Sequence, residues 1–283
     1  MPRIDRVAII GLGLIGGSLG LALRRKRLVR AVVGVSRRAG TRARAKTRGA
    51  IDRASGSLPE AVQDAQVVVL AVPVGAVVPS VLRMRRSLRR GTLLMDVGST
   101  KAHIVRGIER ILPAGVDYVG AHPIAGSERR GIEAADAGLF QDAVCVLTPG
   151  RRTSRVALAR ARKFWTALGM RVLVMSPAQH DRLLAGASHL PHAIAFSLAR
   201  AVSVAPLPAA PRSFLDMTRI AKSDPDLWKD ILLSNRPALI GALDRFVADL
   251  RRMRAALAAG RPATVRRLLS EGKRRRDALE EPR

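Results

Sequence analysis

The chain has 283 residues, enough for two domains, and its 48% hydrophobic content can fill a packed core, which excludes disorder as the main state. Lysine and arginine number 50 against 22 acids, with 43 Arg to only 7 Lys. Aromatic residues make up 3%, too few to stack bases, so the excess charge reads as solvated helix faces that attract small anions, and no nucleic-acid partner is expected. The single cysteine, Cys145, excludes an intrachain disulfide. The longest uncharged stretch, Val67 to Leu82, is broken by Pro73, Gly75 and Pro79 and suits a strand and turn better than a membrane span. No secretory leader is read between Met1 and Ile10, and the expectation is a soluble, cytoplasmic protein.

In chain order, strand-like runs occur at 7–10, 32–36, 67–72, 93–97, 118–121, 144–148 and 172–175, separated by Arg/Ala/Leu stretches of helical period. Seven strands that are apolar on both faces predict a parallel sheet covered by helices, the doubly wound α/β pattern. After Ser176 the strand-like runs stop. The spacing predicts two domains, a Rossmann-type dinucleotide-binding domain over 1–176 and an all-helical one over 177–283. In the latter, Leu239, Leu243, Phe246, Leu250, Met253 and Leu257 recur at helical spacing, a stripe expected between two subunits. Segment 203–213, with three prolines, reads as a loop.

Gly11-Leu12-Gly13-Leu14-Ile15-Gly16 follows the first strand and opens a helix. The first glycine permits the tight turn, the second lets backbone N–H groups approach a pyrophosphate, and the third lets helix and strand pack closely. At the end of the second strand an NAD enzyme places a carboxylate on the ribose hydroxyls. Here Ser36, Arg37 and Arg38 stand instead. A hydroxyl and two guanidinium groups suit a 2′-phosphate, so the expected cofactor is NADP, with NAD second.

Ligands of an open parallel sheet bind beyond the carboxyl ends of its strands. Val72 and Pro73 end the third run and are expected near the cofactor. DVGSTK, with Ser99, ends the fourth, and GAHPIAGSE, with His122, Ser127 and Glu128, ends the fifth, so that a serine and a histidine meet over the nicotinamide. In the helical part, Pro191 should kink its helix, and His189 and His192 share one face. Two histidines without a third ligand do not make a metal site, and no metal is expected.

GLGLIGGSLG, DVGSTK, GAHPIAGSE, SHLPHAIAF and FLDMTRIAKSDPDLW together resemble the prephenate and arogenate dehydrogenases of tyrosine biosynthesis, over essentially the whole chain. The resemblance implies oxidative decarboxylation of a cyclohexadienol, with hydride passing from ring C4 to nicotinamide and the C1 carboxylate leaving as CO2. It implies that His122 accepts the C4 hydroxyl proton and that Ser99 holds His122 and touches the nicotinamide. Arg219 would bind a substrate carboxylate, oriented by Asp216, with His192 facing the substrate side chain. Ser127 and Glu128 would line the mouth of the cleft and Trp228 its wall, while His180 and His189 would support the kinked helix. Prephenate and arogenate stay undivided on these motifs. Two alternatives remain: a β-hydroxyacid or imine reductase, which wants a catalytic lysine where SHLPH offers histidine, and a non-enzymatic nucleotide-sensing or nucleic-acid-binding protein.

Overall fold

The computed structural model describes residues 3–125, 129–202 and 211–279. Strands β1 (Ile4–Ile10), β2 (Val29–Val35), β3 (Arg53–Ser55), β4 (Val67–Leu70), β5 (Leu93–Asp96), β6 (Asp117–Ile124), β7 (Val144–Thr148) and β8 (Arg171–Val174) form one sheet in the order β3-β2-β1-β4-β5-β6-β7-β8. Among them run α1 (Leu14–Arg25), α2 (Ala39–Thr47), α3 (Leu58–Val62), α4 (Val74–Met84), α5 (Ala102–Ile111) and α6 (Arg155–Ala167). Helices follow: α7 (Pro177–Leu184), α8 (Leu190–Ala201), α9 (Arg212–Thr218), α10 (Pro225–Ser234), α11 (Arg236–Ala258) and α12 (Pro262–Asp277). Most of segment 203–213 lies outside the described residues, and its last two residues, Arg212 and Ser213, already belong to α9.

The alternation of each strand divides the core between two faces. Val7, Ile9, Val67, Val69, Leu93 and Met95 pack on one side with Leu19 and Leu23 of α1 and Phe164 and Trp165 of α6. Their neighbours Ala8, Ile10, Val68, Leu70 and Leu94 pack on the other with Val77 and Val81 of α4 and Ile104 and Ile108 of α5. A sheet buried on both faces needs apolar residues at every position, which is why these runs lack a polar alternation.

Two features depart from the sequence expectation. The sheet has eight strands, because Arg53–Ser55 joins the edge of β2 as β3; three residues with no apolar run give no sequence signal of a strand. The sheet is parallel only from β3 through β6: β7 runs antiparallel to β6, and β8 parallel to β7. A parallel neighbour requires a crossover, and among the described residues the stretch between β6 and β7 carries no helix.

This reversal positions the site. Asp96, the last residue of β5, pairs with Gly120, and β6 continues to Ile124 supported by β7, with His122 opposite Val146. His122 therefore stands beyond the end of β5, at the carboxyl edge of the sheet. The glycine-rich turn leaves β1 at the same edge.

Residues up to Arg236 form one compact unit and those from Pro237 a second. The division falls well after Ser176 because α7 packs on α5 and β7, and α10 on α4. In the second unit, the turn between α11 and α12 passes through Gly260 at φ +57. Of the apolar stripe, Leu239 is buried and Leu243, Phe246 and Met253 are half-buried, but Leu250 is 51% exposed and Leu257 61%. No described helix is long and apolar enough to cross a membrane.

Candidate active site

The turn after β1 has the shape of a dinucleotide cradle. Gly11 has φ +102, and a Cβ there would lie 2.2 Å from the Ala71 carbonyl oxygen; at Gly16 it would lie 1.9 Å from the Gly11 oxygen. Both positions therefore exclude any side chain. A Cβ at Gly13 would meet nothing within 4 Å, so open space lies beside the first turn of α1. That turn, opening with Leu14 and Ile15, has no side-chain cap and no acid. Its free N–H groups and positive helix end fit a pyrophosphate.

At the end of β2, Ser36 is half-buried and Arg37 and Arg38 are exposed. The Ser36 hydroxyl accepts the Arg38 N–H at 3.4 Å, and Arg42 donates to the carbonyls of Ser36 at 2.6 Å and Arg37 at 3.2 Å. Arg42, which the sequence reading did not single out, braces the loop and leaves the guanidinium groups of Arg37 and Arg38 without a hydrogen bond or ion pair among the described residues. Val72 and Pro73 follow β4 next to the cradle, where Val72 Cγ1 would be 3.0 Å from a Cβ on Gly11.

His122 is held by a relay rather than by Ser99. Its Nδ1 lies 2.8 Å from Nε2 of His180, whose Nδ1 lies 2.8 Å from the Asp181 carboxylate. Among the described residues Ser99 makes no side-chain hydrogen bond, so the expected Ser99 hold on His122 is replaced by His180. The expected role of His180 as a helix support is corrected with it. Both relay residues are placed by α7, which starts with a capping box between Ser176 and Gln179 and Pro177 in its first turn. Asp181 also accepts the backbone N–H groups of Lys101 and Ala102, each at 2.8 Å, at the start of α5. Burial pushes the Asp181 carboxyl up, but the His180 hydrogen bond and those two N–H groups outweigh it and hold the group below its ordinary range, as a carboxylate.

A carboxylate accepts, so a neutral His180 carries its proton on Nδ1 and offers Nε2 as acceptor; His122 then donates from Nδ1, and its own Nε2 is left with a lone pair. Burial drives His122 well below the ordinary imidazole range, and the Lys101 cation adds to it. It is neutral at pH 7, ready to take a proton.

Beneath it lies a buried pair. Lys101, fully enclosed, is ion-paired with Asp96 and donates to the Ala121 carbonyl at 2.9 Å. Asp96 also accepts from the Tyr118 hydroxyl at 2.7 Å and the Gly98 N–H at 2.8 Å. These contacts lock the DVGSTK turn to the strand carrying His122. The signal for this pair was present in the sequence as an acid and a lysine bracketing that turn.

A π-helical turn over Ala185–His189 leads into α8, which carries Pro191 in its first turn. Beyond it His192 stacks on Trp228, centroids 3.4 Å apart at 17°, and His189 meets the same indole edge-on at 6.1 Å. Nδ1 of His192 donates to the Ser188 carbonyl at 2.9 Å. Asn235, another residue the sequence reading missed, ties His189 to the Asp181 carbonyl. Burial lowers His192, the Ser188 hydrogen bond opposes this, and the positive charge of Arg219 adds to the lowering; the turn that carries Arg219, Arg219–Lys222, packs on α8. Asp216 does not orient Arg219: its side chain is exposed and unpaired among the described residues, and only its backbone carbonyl meets Arg219, accepting that residue's backbone N–H. Ser127 and Glu128 lie outside the described residues.

A glycine cradle for a pyrophosphate and an unprotonated imidazole, together at the carboxyl edge of one sheet, define a pyridine-nucleotide-dependent oxidoreductase. Residues 19–174 match the nucleotide-binding domain of prephenate dehydrogenase, and residues 176–271 match its dimerization domain. The chain belongs to the prephenate dehydrogenase family. A cyclohexadienyl dehydrogenase of Zymomonas mobilis is 37% identical over 266 residues, 92% of this chain and 90% of its own. A prephenate dehydrogenase of A. aeolicus, in complex with hydroxyphenyl propionate and NAD+, superposes with a TM-score of 0.91 at 30% identity, covering 98% of this chain and 99% of that one. An arogenate dehydrogenase of Synechocystis does so with a TM-score of 0.83 at 29% identity over 97% and 99%. Membership of this family sets aside the reductase and non-enzymatic alternatives.

Proposed function

We propose that this enzyme oxidatively decarboxylates prephenate or arogenate, giving 4-hydroxyphenylpyruvate or tyrosine, and that it prefers NADP to NAD. Residues 1–176 hold the dinucleotide, and 177–283 supply the substrate contacts and the face of a cytoplasmic homodimer. The observation that carries the reading is the hydrogen-bonded chain from Asp181 through His180 to Nδ1 of His122, 2.8 Å at each step, which leaves Nε2 of His122 for the substrate.

The bound nicotinamide supplies the hydride acceptor for the hydrogen on ring C4. His122 takes the C4 hydroxyl proton at Nε2, general-base work worth about 10²- to 10⁴-fold. Its Nδ1 proton then strengthens the bond to His180, and the positive charge is spread towards Asp181, which stays ionised. When the C1 carboxylate departs as CO2, its bonding electrons enter the ring and aromatise it, and the phenolate oxygen recovers the proton from His122. Arg219 binds a substrate carboxylate. His192, held by Ser188 and Trp228, contacts the substrate side chain, Ser99 serves the nicotinamide, and Ser127 and Glu128 are assigned to the substrate. Leu14, Ile15 and the glycines hold the pyrophosphate, Val72 and Pro73 pack beside it, and Ser36, Arg37 and Arg38 receive the 2′-phosphate.

The test is turnover of purified enzyme with each substrate and each cofactor, followed by reduced-nicotinamide absorbance. Absence of turnover with both substrates would overturn the reading.

A further inference from the structure

A second concave site lies at the opposite edge of the sheet. A cavity of about 530 Å³ opens where β1, β4 and β5 begin, and α6 forms one side. The floor is apolar: Ile4, Val67, Leu93 and Phe164, all buried. The walls carry Arg3, Arg89, Arg90, Arg160 and Lys163, and no carboxylate is among the lining residues.

Two of these cations are partly satisfied. Arg3 donates to the Val29 carbonyl at 3.1 Å and Arg160 to that of Gly91 at 3.0 Å, with Asp117 3.7 Å from Arg160. Arg89, Arg90 and Lys163 have no side-chain hydrogen bond or ion pair among the described residues. Gly115 makes room for one of them: a Cβ there would come 3.1 Å from Cζ of Arg90. Arginines scattered by composition stand on convex helix faces, where water screens them. These converge on one concavity, where like charges side by side raise the local positive potential that an anion lowers.

We propose that this cavity binds a small polyanion carrying an apolar ring, of the nucleoside triphosphate class. Its size suits a small ligand, the guanidinium forks suit phosphate oxygens, and the exposed arginine stems and guanidinium planes above the buried floor suit the face of a base. It is separate from the glycine cradle, because the seven residues of β1, at about 3.3 Å each, set the two roughly 20 Å apart.

Calorimetric titration of the full chain with ATP, at saturating NADP so that the cradle is filled, tests this. The expected result is saturable binding, weakened at least tenfold by the double substitution Arg90→Ala/Lys163→Ala. It should be little changed by Arg83→Ala/Arg106→Ala, which removes two exposed arginines from α4 and α5. Tripolyphosphate, which lacks the ring, should bind more weakly than ATP. No binding under saturating NADP, equal losses in the two double variants, or equal affinity for ATP and tripolyphosphate would each overturn the proposal.

Discussion

A neutral imidazole has one nitrogen with a proton and one without, and in His122 the choice is made by Asp181, which it does not touch. His122→Asn should lower kcat by about 10²- to 10⁴-fold with little change in substrate KM, since the acceptor is needed chiefly in the transition state. Steady-state kinetics on the variant measure this, and an unchanged kcat would remove His122 from the chemistry. Because a base works only when unprotonated and burial holds His122 well down, the wild-type kcat/KM should stay level as pH falls through the ordinary histidine range of about 6.5 and drop only below it. Asp181→Ala probes the relay itself. With no carboxylate to hold the proton on Nδ1 of His180, both tautomers of His122 become open, so kcat should fall, by less than in His122→Asn, while the melting transition persists. Wild-type turnover in this variant would show that the tautomer does not depend on Asp181.

Arg219 stands on a 3₁₀ turn, Arg219–Lys222, directly after α9, and its charge reaches His192 on α8. Arg219→Gln should weaken substrate binding by about 1.5 to 3 kcal/mol, the worth of a charged hydrogen bond, and spare cofactor KM. A rise in cofactor KM alone would assign Arg219 to the other ligand. The β2–α2 loop carries the cofactor choice. Ser36→Asp should repel a 2′-phosphate and give the NAD ribose an acceptor, and Arg37→Ala should cost NADP affinity while sparing NAD. Comparing kcat/KM for both cofactors across wild type and the two variants decides it: equal use by wild type, or equal loss in Arg37→Ala, makes these arginines ordinary surface charge.

Across the whole molecule, apolar side chains remain uncovered on the single chain, among them Leu250, Leu257 and Leu269 at 51%, 61% and 61% exposure. Burying such side chains is worth about 1.5 to 3 kcal/mol each, so a homodimer is expected from a stretch that matches a dimerization domain. Light scattering at micromolar concentration should report twice the 30.4 kDa chain mass; a monomer there would refute it.

The glycine turn, the doubly wound alternation and the residue type at His122 were legible in the sequence because each depends on local geometry: a φ only glycine adopts, a strand buried on both faces, a polar residue at a strand end. Short β3 was not legible, since its pairing rather than its composition makes it a strand. Nor was the reversal of β7, which depends on how the chain returns after β6. The Asp181–His180–His122 relay escaped for the same reason: its first two residues are adjacent, but 58 positions separate the two histidines, and only the packing of α7 on α5 and β7 brings them within 2.8 Å. The sequence by itself determined which chemical groups this protein owns and the strand ends at which some of them emerge. The tertiary structure alone decided which nitrogen of His122 is bare, because a tautomer is set by hydrogen-bond partners, and those partners come from elements that meet only when the sheet is complete.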